Sequence, residues 1–224
     1  MSTADAATLA PLDAALTKPR LRGMLHLVAF PLSLVTGAVL LLAVADDATE
    51  RRASLVYTLA TAVLFGVSAL YHRGRWDDRT RARLRRLDHS NIFLMIAGTY
   101  TPLTVALLSG TTQRTVLTVV WVGALAGIVF RVAWLTAPAW LYTPFYVALG
   151  WVAVAVLPDL ARAGGTAVIA LVVAGGLAYS AGGVVYALRR PDPMPAVFGY
   201  HEIFHAGTIV GFACHYLAVV LALG

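Results

Sequence analysis

The sequence predicts an all-α membrane protein: a seven-transmembrane helix bundle with its N-terminus cytoplasmic and its C-terminus external. Three observations predict it. Of 224 residues, 59% are hydrophobic and 12% charged. A soluble domain carries about 25% charged residues, so half that share leaves too little polar surface to coat a water-soluble globule. The apolar residues fall into runs of about 20, the length that crosses a bilayer as a helix. The 17 Lys and Arg residues are divided unevenly between alternate connecting segments.

In chain order the runs are 24–45, 53–72, 88–109, 115–135, 139–158, 165–188 and 201–223. The first follows Lys18, Arg20 and Arg22 and stops before Asp46-Asp47. Arg51-Arg52 precede the second, which closes on Ser68-Ala69-Leu70-Tyr71-His72. An arginine-rich segment, 77–86, leads to the third, which opens on Asp88-His89. Arg114 precedes the fourth. Between the fourth and fifth, Thr136-Ala137-Pro138 supplies the break: Pro138 lacks an N–H and disfavours helix in its predecessor. Arg162 separates the fifth from the sixth, Arg189-Arg190 end the sixth, and His201 opens the seventh. Pro102 and Pro144 lie within spans, where neighbouring helices must cover the freed backbone groups.

Orientation follows from the basic residues. With the N-terminus inside, Lys18, Arg20, Arg22, Arg73, Arg75, Arg79, Arg81, Arg83, Arg85, Arg86, Arg131, Arg189 and Arg190 are cytoplasmic, 13 in all, against four outside: Arg51, Arg52, Arg114 and Arg162. Segment 77–86 then reads as a cytoplasmic loop or short amphipathic helix touching anionic lipid headgroups. The formal charge of +6 is this topology signal. Nucleic-acid binding is not expected, because it needs a basic groove with stacking aromatics. Residues 1–20 contain acids and prolines and lack the apolar core of a secretory signal. They read as a flexible tail ahead of one domain over 21–224. Cys214 is alone, which excludes an intramolecular disulfide and a four-cysteine zinc site. The match Gly123-x-x-x-Gly127 and the glycines at 175, 176, 182 and 183 are explained by close helix packing.

The polar residues carry the functional reading. His201 and His205, at i and i+4, share one helix face, so both rings can reach one metal ion. By the topology above, His72 ends its span, and Asp88 and His201 begin theirs, at the cytoplasmic side. Ionisable groups in spans are costly and normally face the bundle interior with partners. Three imidazoles, His72, His201 and His205, can supply three zinc ligands and leave a fourth position for water or substrate, as in a catalytic site. Asp88 can orient that water, act as general base, or hold a ligand imidazole. Ser68, one turn from His72, can bind the water or an oxyanion. A histidine pair can also serve only as hydrogen-bonding structure; the common level of His72 and Asp88 favours metal. His201-Glu202-Ile203-Phe204-His205 matches H-E-x-x-H, but Glu202 reads as a first-turn acid favoured by the helix dipole. His89 reads as a surface or interhelical hydrogen bond. His215 lies about 20 Å deeper, too far to ligate, and His26 reads as interfacial. Tyr100, Tyr142 and Tyr146 read as belt or core residues.

These stretches, with Leu87-Asp88-His89-Ser90-Asn91-Ile92-Phe93-Leu94-Met95-Ile96-Ala97-Gly98-Thr99-Tyr100-Thr101-Pro102 between them, resemble the hemolysin III family of bacterial membrane proteins, related to the progestin and adipoQ receptors and the alkaline ceramidases. The resemblance runs from about residue 20 to the end. It implies a seven-helix bundle in the bacterial inner membrane with a cytoplasmic-side zinc on His72, His201 and His205, with Ser68 and Asp88 at the site. It also implies a zinc-dependent hydrolase of acyl-amide or ester lipids with a role in membrane homeostasis. Two other functions fit the residues: a non-enzymatic sensor or homeostasis factor with structural zinc, and a cytolytic pore. A pore needs a polar stripe through several spans, whereas here the polar residues cluster at one end.

Overall fold

The computed structural model describes residues 18–44 and 46–224; the expected tail at 1–20 lies outside them as far as residue 17. The described residues are helical and contain no strand: α1 (Met24–Ala43), α2 (Ala48–Arg73), α3 (Asp78–Leu107), α4 (Gly110–Ala133), α5 (Ala139–Gly150), a 3₁₀ segment (Trp151–Val156), α6 (Leu157–Leu188) and α7 (Tyr200–Leu223). Six stretches among them are long and apolar enough to cross a membrane, Trp140–Leu188 counting as one of 49 residues. This is a multi-pass membrane protein. Large apolar side chains stand on the outer faces, among them Leu32, Leu42, Val122, Val129 and Trp140, as lipid contact requires.

Trp140–Leu188 does not run straight. Gly165 has φ 73° and ψ 179°, a non-helical conformation inside α6 that a residue with a Cβ adopts only under strain. The chain doubles back there. Trp151 Nε1 donates to Ser180 Oγ at 2.9 Å, and the hydroxyls of Tyr142 and Tyr186 are 3.5 Å apart. These pairs lie on either side of Gly165, so 139–156 packs antiparallel to the later part of α6. The 3₁₀ stretch is held by Tyr100, whose hydroxyl donates to Gly150 O at 2.7 Å and accepts from Ala153 N at 2.6 Å.

Pro138 stands at the N-cap of α5, where the sequence places the break. The arginine segment differs from expectation. It is neither a loop nor a separate helix but the first turns of α3, which begins at Asp78 and runs unbroken past Asp88. Asp77 caps it by accepting from Thr80 N. These amide and hydroxyl donors from Thr80 hold the Asp77 carboxyl below its ordinary range. At Asp47, the Glu50 and Thr49 amides of α2 do the same. Asp88 therefore lies inside its helix, about 15 Å beyond its start.

Small residues set the helix spacing. A Cβ at Gly98 would sit 2.6 Å from Ala60 Cβ, where α3 crosses α2, and one at Gly211 2.5 Å from the Tyr179 ring, where α7 crosses α6. Gly123 and Gly127 face Leu149 and Phe93 of the same chain, so that motif serves packing within the bundle. Two apolar cores result. One joins α1, α2, α3 and α7 around Tyr57, Phe65, Met95 and Phe212; the other joins α3, α4 and the 3₁₀ region around Phe93 and Val120.

A candidate metal centre at one end of the bundle

Three local devices fix the histidines. α2 ends where Gly74 N donates to Leu70 O and the Trp76 indole donates to the same carbonyl at 3.1 Å. This anchors the last turn, which carries His72. α7 starts at Gly199, packed against the Asp192 carboxylate. Tyr200 N donates to Asp192 Oδ1, and Gly199 N donates to Glu202 Oε2, at 2.9 Å each. One orphan donor of this helix end, Tyr200 N, and the N-cap amide of Gly199 are thereby met, and His201 and His205 are buried on the inward face. Thirdly, the segment before α1 covers the site. Gly23, at φ 78°, lets the backbone pass so close that a Cβ there would lie 2.5 Å from His72 Cβ. Arg20 N and Leu21 N donate to Ala196 O and Val197 O.

His72, His201 and His205 are buried, and each offers a ring nitrogen within 4.8 Å of those of the other two. Nε2 of His72 and Nε2 of His201 are 3.2 Å apart. Ligand nitrogens on a tetrahedral zinc, at about 2.0–2.1 Å from the ion, are spaced by about 3.3 Å. The donor set, the burial and the His72–His201 spacing suit a metal ion. His205 Nδ1 is buried without a partner among the described residues, so the ring has hydrogen-bonding or ligating capacity that they do not use.

Asp88 Oδ2 lies 3.6 Å from His72 Nε2, the nitrogen that also faces His201. The carboxylate thus approaches from the ligand side of the ring, not from the far nitrogen where a carboxylate would merely orient it. Ser68 is buried one turn before His72. With Asp88, His201 and His205 it lines a cavity of about 130 Å³ that continues inward past Met95 and Tyr179 to His215. The residues Ser68, His72, Asp88, His201 and His205, distant in sequence, are gathered at one place.

Other side chains agree with the sequence reading in part: Glu202 is the first-turn acid it expects, with partners the sequence does not show. Glu202 is 1% exposed and fully engaged: Oε1 takes the Arg22 Nε hydrogen at 2.6 Å and Oε2 the Gly199 amide. It is a strut between the N-terminal segment and α7. His26 is not interfacial. It is buried, stacked on His205 with ring centres 3.8 Å apart and planes 5° from parallel, and neither nitrogen has a partner among the described residues. Only its place in an apolar run signalled burial in the sequence. His215 Nε2 donates to Val172 O at 3.1 Å, the buried polar contact expected of it. Tyr100, Tyr142 and Tyr146 take the core side of the belt-or-core reading and line the cavity. Arg131, counted above with the topology-setting arginines, is 1% exposed. Its guanidinium lies 4.1 Å over the Tyr142 ring and reaches His89 Nδ1 at 2.5 Å.

The family profile described as "Haemolysin-III related" matches residues 14–216. The chain is 30% identical over 165 residues to a protein of Bacillus subtilis (strain 168) named "Hemolysin-3 homolog", covering 74% of each chain. It is also 30% identical over 166 residues to "Hemolysin-3" of Bacillus cereus, covering 74% of this chain and 72% of that one. The chain belongs to the haemolysin-III-related family.

Proposed function

We propose that this family member is a zinc-dependent hydrolase of acyl-amide or ester lipids in the bacterial inner membrane, acting in membrane homeostasis. The observation that carries the reading is the buried nitrogen triad of His72, His201 and His205 with Asp88 on its ligand side and a cavity in front. In this reading the chain crosses the membrane seven times, with a reversal at Gly165 dividing Trp140–Leu188 into two passes. A straight 49-residue helix would be about 74 Å long, more than twice the roughly 30 Å hydrocarbon core. The N-terminus is cytoplasmic and the C-terminus external. The triad then lies on the cytoplasmic side, and the exposed Arg79, Arg81 and Arg83 meet anionic headgroups.

His72, His201 and His205 would hold the zinc. When bound, it supplies Lewis acidity, polarising a carbonyl and lowering the pKa of water. Asp88 takes a proton from the attacking water at its carboxylate. Ser68 donates its hydroxyl to oxygen in the cavity. Arg22, Glu202 and the Gly23 backbone close the site from above, and the cavity's apolar stretch, including Leu64, Ile92, Met95 and Ile96, accommodates lipid.

A cytolytic pore has less support, because the triad, Asp88 and Ser68 are gathered at one end and the outer faces are apolar. The decisive experiment is elemental analysis of purified protein beside a screen for fatty-acid release from ceramides and phospholipids. One zinc per chain and release from at least one lipid class are expected, with both lost in His205→Ala. Equal zinc in wild type and His205→Ala overturns the ligand assignment. Zinc bound without hydrolysis of any lipid transfers the reading to a sensor with structural zinc.

A further inference from the structure

Arg131 is a buried cation without a carboxylate within ion-pair distance among the described residues. Its guanidinium hydrogens go to Trp134 O at 3.2 Å, to Leu135 O at 3.5 Å and to His89 Nδ1 at 2.5 Å, while Nε has no partner among the described residues. Burying such a charge costs several kcal/mol on general grounds, so the position of its strongest contact matters.

A guanidinium carries five N–H donors and no acceptor. His89 Nδ1 must therefore present a lone pair. A neutral imidazole holds its one proton on the other nitrogen, so the proton of His89 is fixed on Nε2. The two nitrogens lie on opposite sides of the ring, which turns Nε2 away from Arg131. His89 lines the cavity beside Asp88, and no hydrogen bond within the protein uses its Nε2 among the described residues. Tyr146 steadies the same turn, its hydroxyl donating to His89 O at 3.1 Å. Asp88 accepts at one residue and His89 donates at the next.

We propose that His89, locked in the Nε2–H form by Arg131, is a hydrogen-bond donor to an acceptor oxygen of a lipid in the cavity, either an amide or ester carbonyl or a headgroup phosphate oxygen. The guanidinium behind the ring polarises the N–H and strengthens the bond to a partly negative oxygen. This donor role rests on the reading that lipid enters the cavity, but it needs no hydrolysis and no metal, so lipid binding without hydrolysis leaves it standing.

The test is ¹⁵N NMR of the full chain in nanodiscs, labelled at histidine, with the His89 signals assigned by their loss in His89→Gln. One tautomer is expected, with Nδ1 bare and Nε2 protonated; Arg131→Met should give a mixture. Titration with N-hexanoylsphingosine tests the carbonyl source and dihexanoylphosphatidylcholine the phosphate source; one of them should shift the Nε2 signal. Glutamine offers one acceptor and one donor in a similar place, so His89→Gln should keep lipid affinity within about threefold. His89→Phe should lose about tenfold, the scale of one hydrogen bond, with zinc content unchanged in both. A proton on Nδ1 in the wild type, or an Nε2 signal that neither lipid moves, overturns the proposal even if Arg131→Met does not fold.

Discussion

Glu202→Gln separates a strut from a base. Glu202 is the second residue of an H-E-x-x-H match, where a protease would place its general base, yet both of its oxygens are engaged. Oε1 holds Arg22 at 2.6 Å and Oε2 holds the Gly199 amide at 2.9 Å. Glutamine can keep the amide contact through its one oxygen, but not the charge that faces Arg22. Arg22 keeps 19% of its side chain exposed, so solvent recovers part of the loss, and a charge-assisted bond of this kind contributes about 1–3 kcal/mol. That energy holds down the segment whose Arg20 and Leu21 amides donate to Ala196 O and Val197 O. Hydrogen exchange at those two amides should therefore quicken by about 5- to 150-fold, the same free energy expressed as an opening constant. Exchange within α7 should stay as in wild type, because its cap survives. Exchange followed by mass spectrometry on the protein in nanodiscs reads this directly, beside lipid hydrolysis. Unchanged exchange at 20–21 together with hydrolysis lowered 100-fold or more refutes the strut and makes Glu202 the base.

Asp88→Asn should retain zinc and lower hydrolysis about 100-fold or more, the scale of a lost general base; loss of zinc by elemental analysis would instead make Asp88 a ligand. A reporter active only in the cytoplasm should be active when fused to the N-terminus and silent at the C-terminus; activity at both ends would remove the reversal at Gly165. Gly98→Ala places a methyl 2.6 Å from Ala60 Cβ and should destabilise the α2–α3 crossing by about 1–3 kcal/mol; an unchanged thermal midpoint in detergent would show that the helices separate freely.

What the sequence determined by itself is what depends on local composition and spacing. Hydrophobic run length marked the helices, because the bilayer sets one length for all of them. Pro138 marked a break, because a missing N–H acts wherever it stands. The i, i+4 spacing of His201 and His205 put both on one face. His72 and Asp88 were legible because both sit at ends of apolar runs, where a shared membrane depth follows from topology. The tertiary structure decided which polar side chains meet. His26 resembled an interfacial residue until the crossing of α1 and α7 stacked it on His205. Arg131 counted as a surface charge until α4 turned it inward onto His89 and Tyr142. Glu202 looked like a dipole-favoured acid, and its partner Arg22 lies 180 residues away. Hydropathy falls at Asp88, yet the backbone of α3 continues through the arginines, since a helix end is set by hydrogen bonding and capping at Asp77 and not by the edge of the membrane. Rotation of a helix about its axis costs nothing that single-residue hydrophobicity records. Only the packing of small residues such as Gly98, Gly127 and Gly211 against their neighbours fixes it, and with it the face each polar group presents.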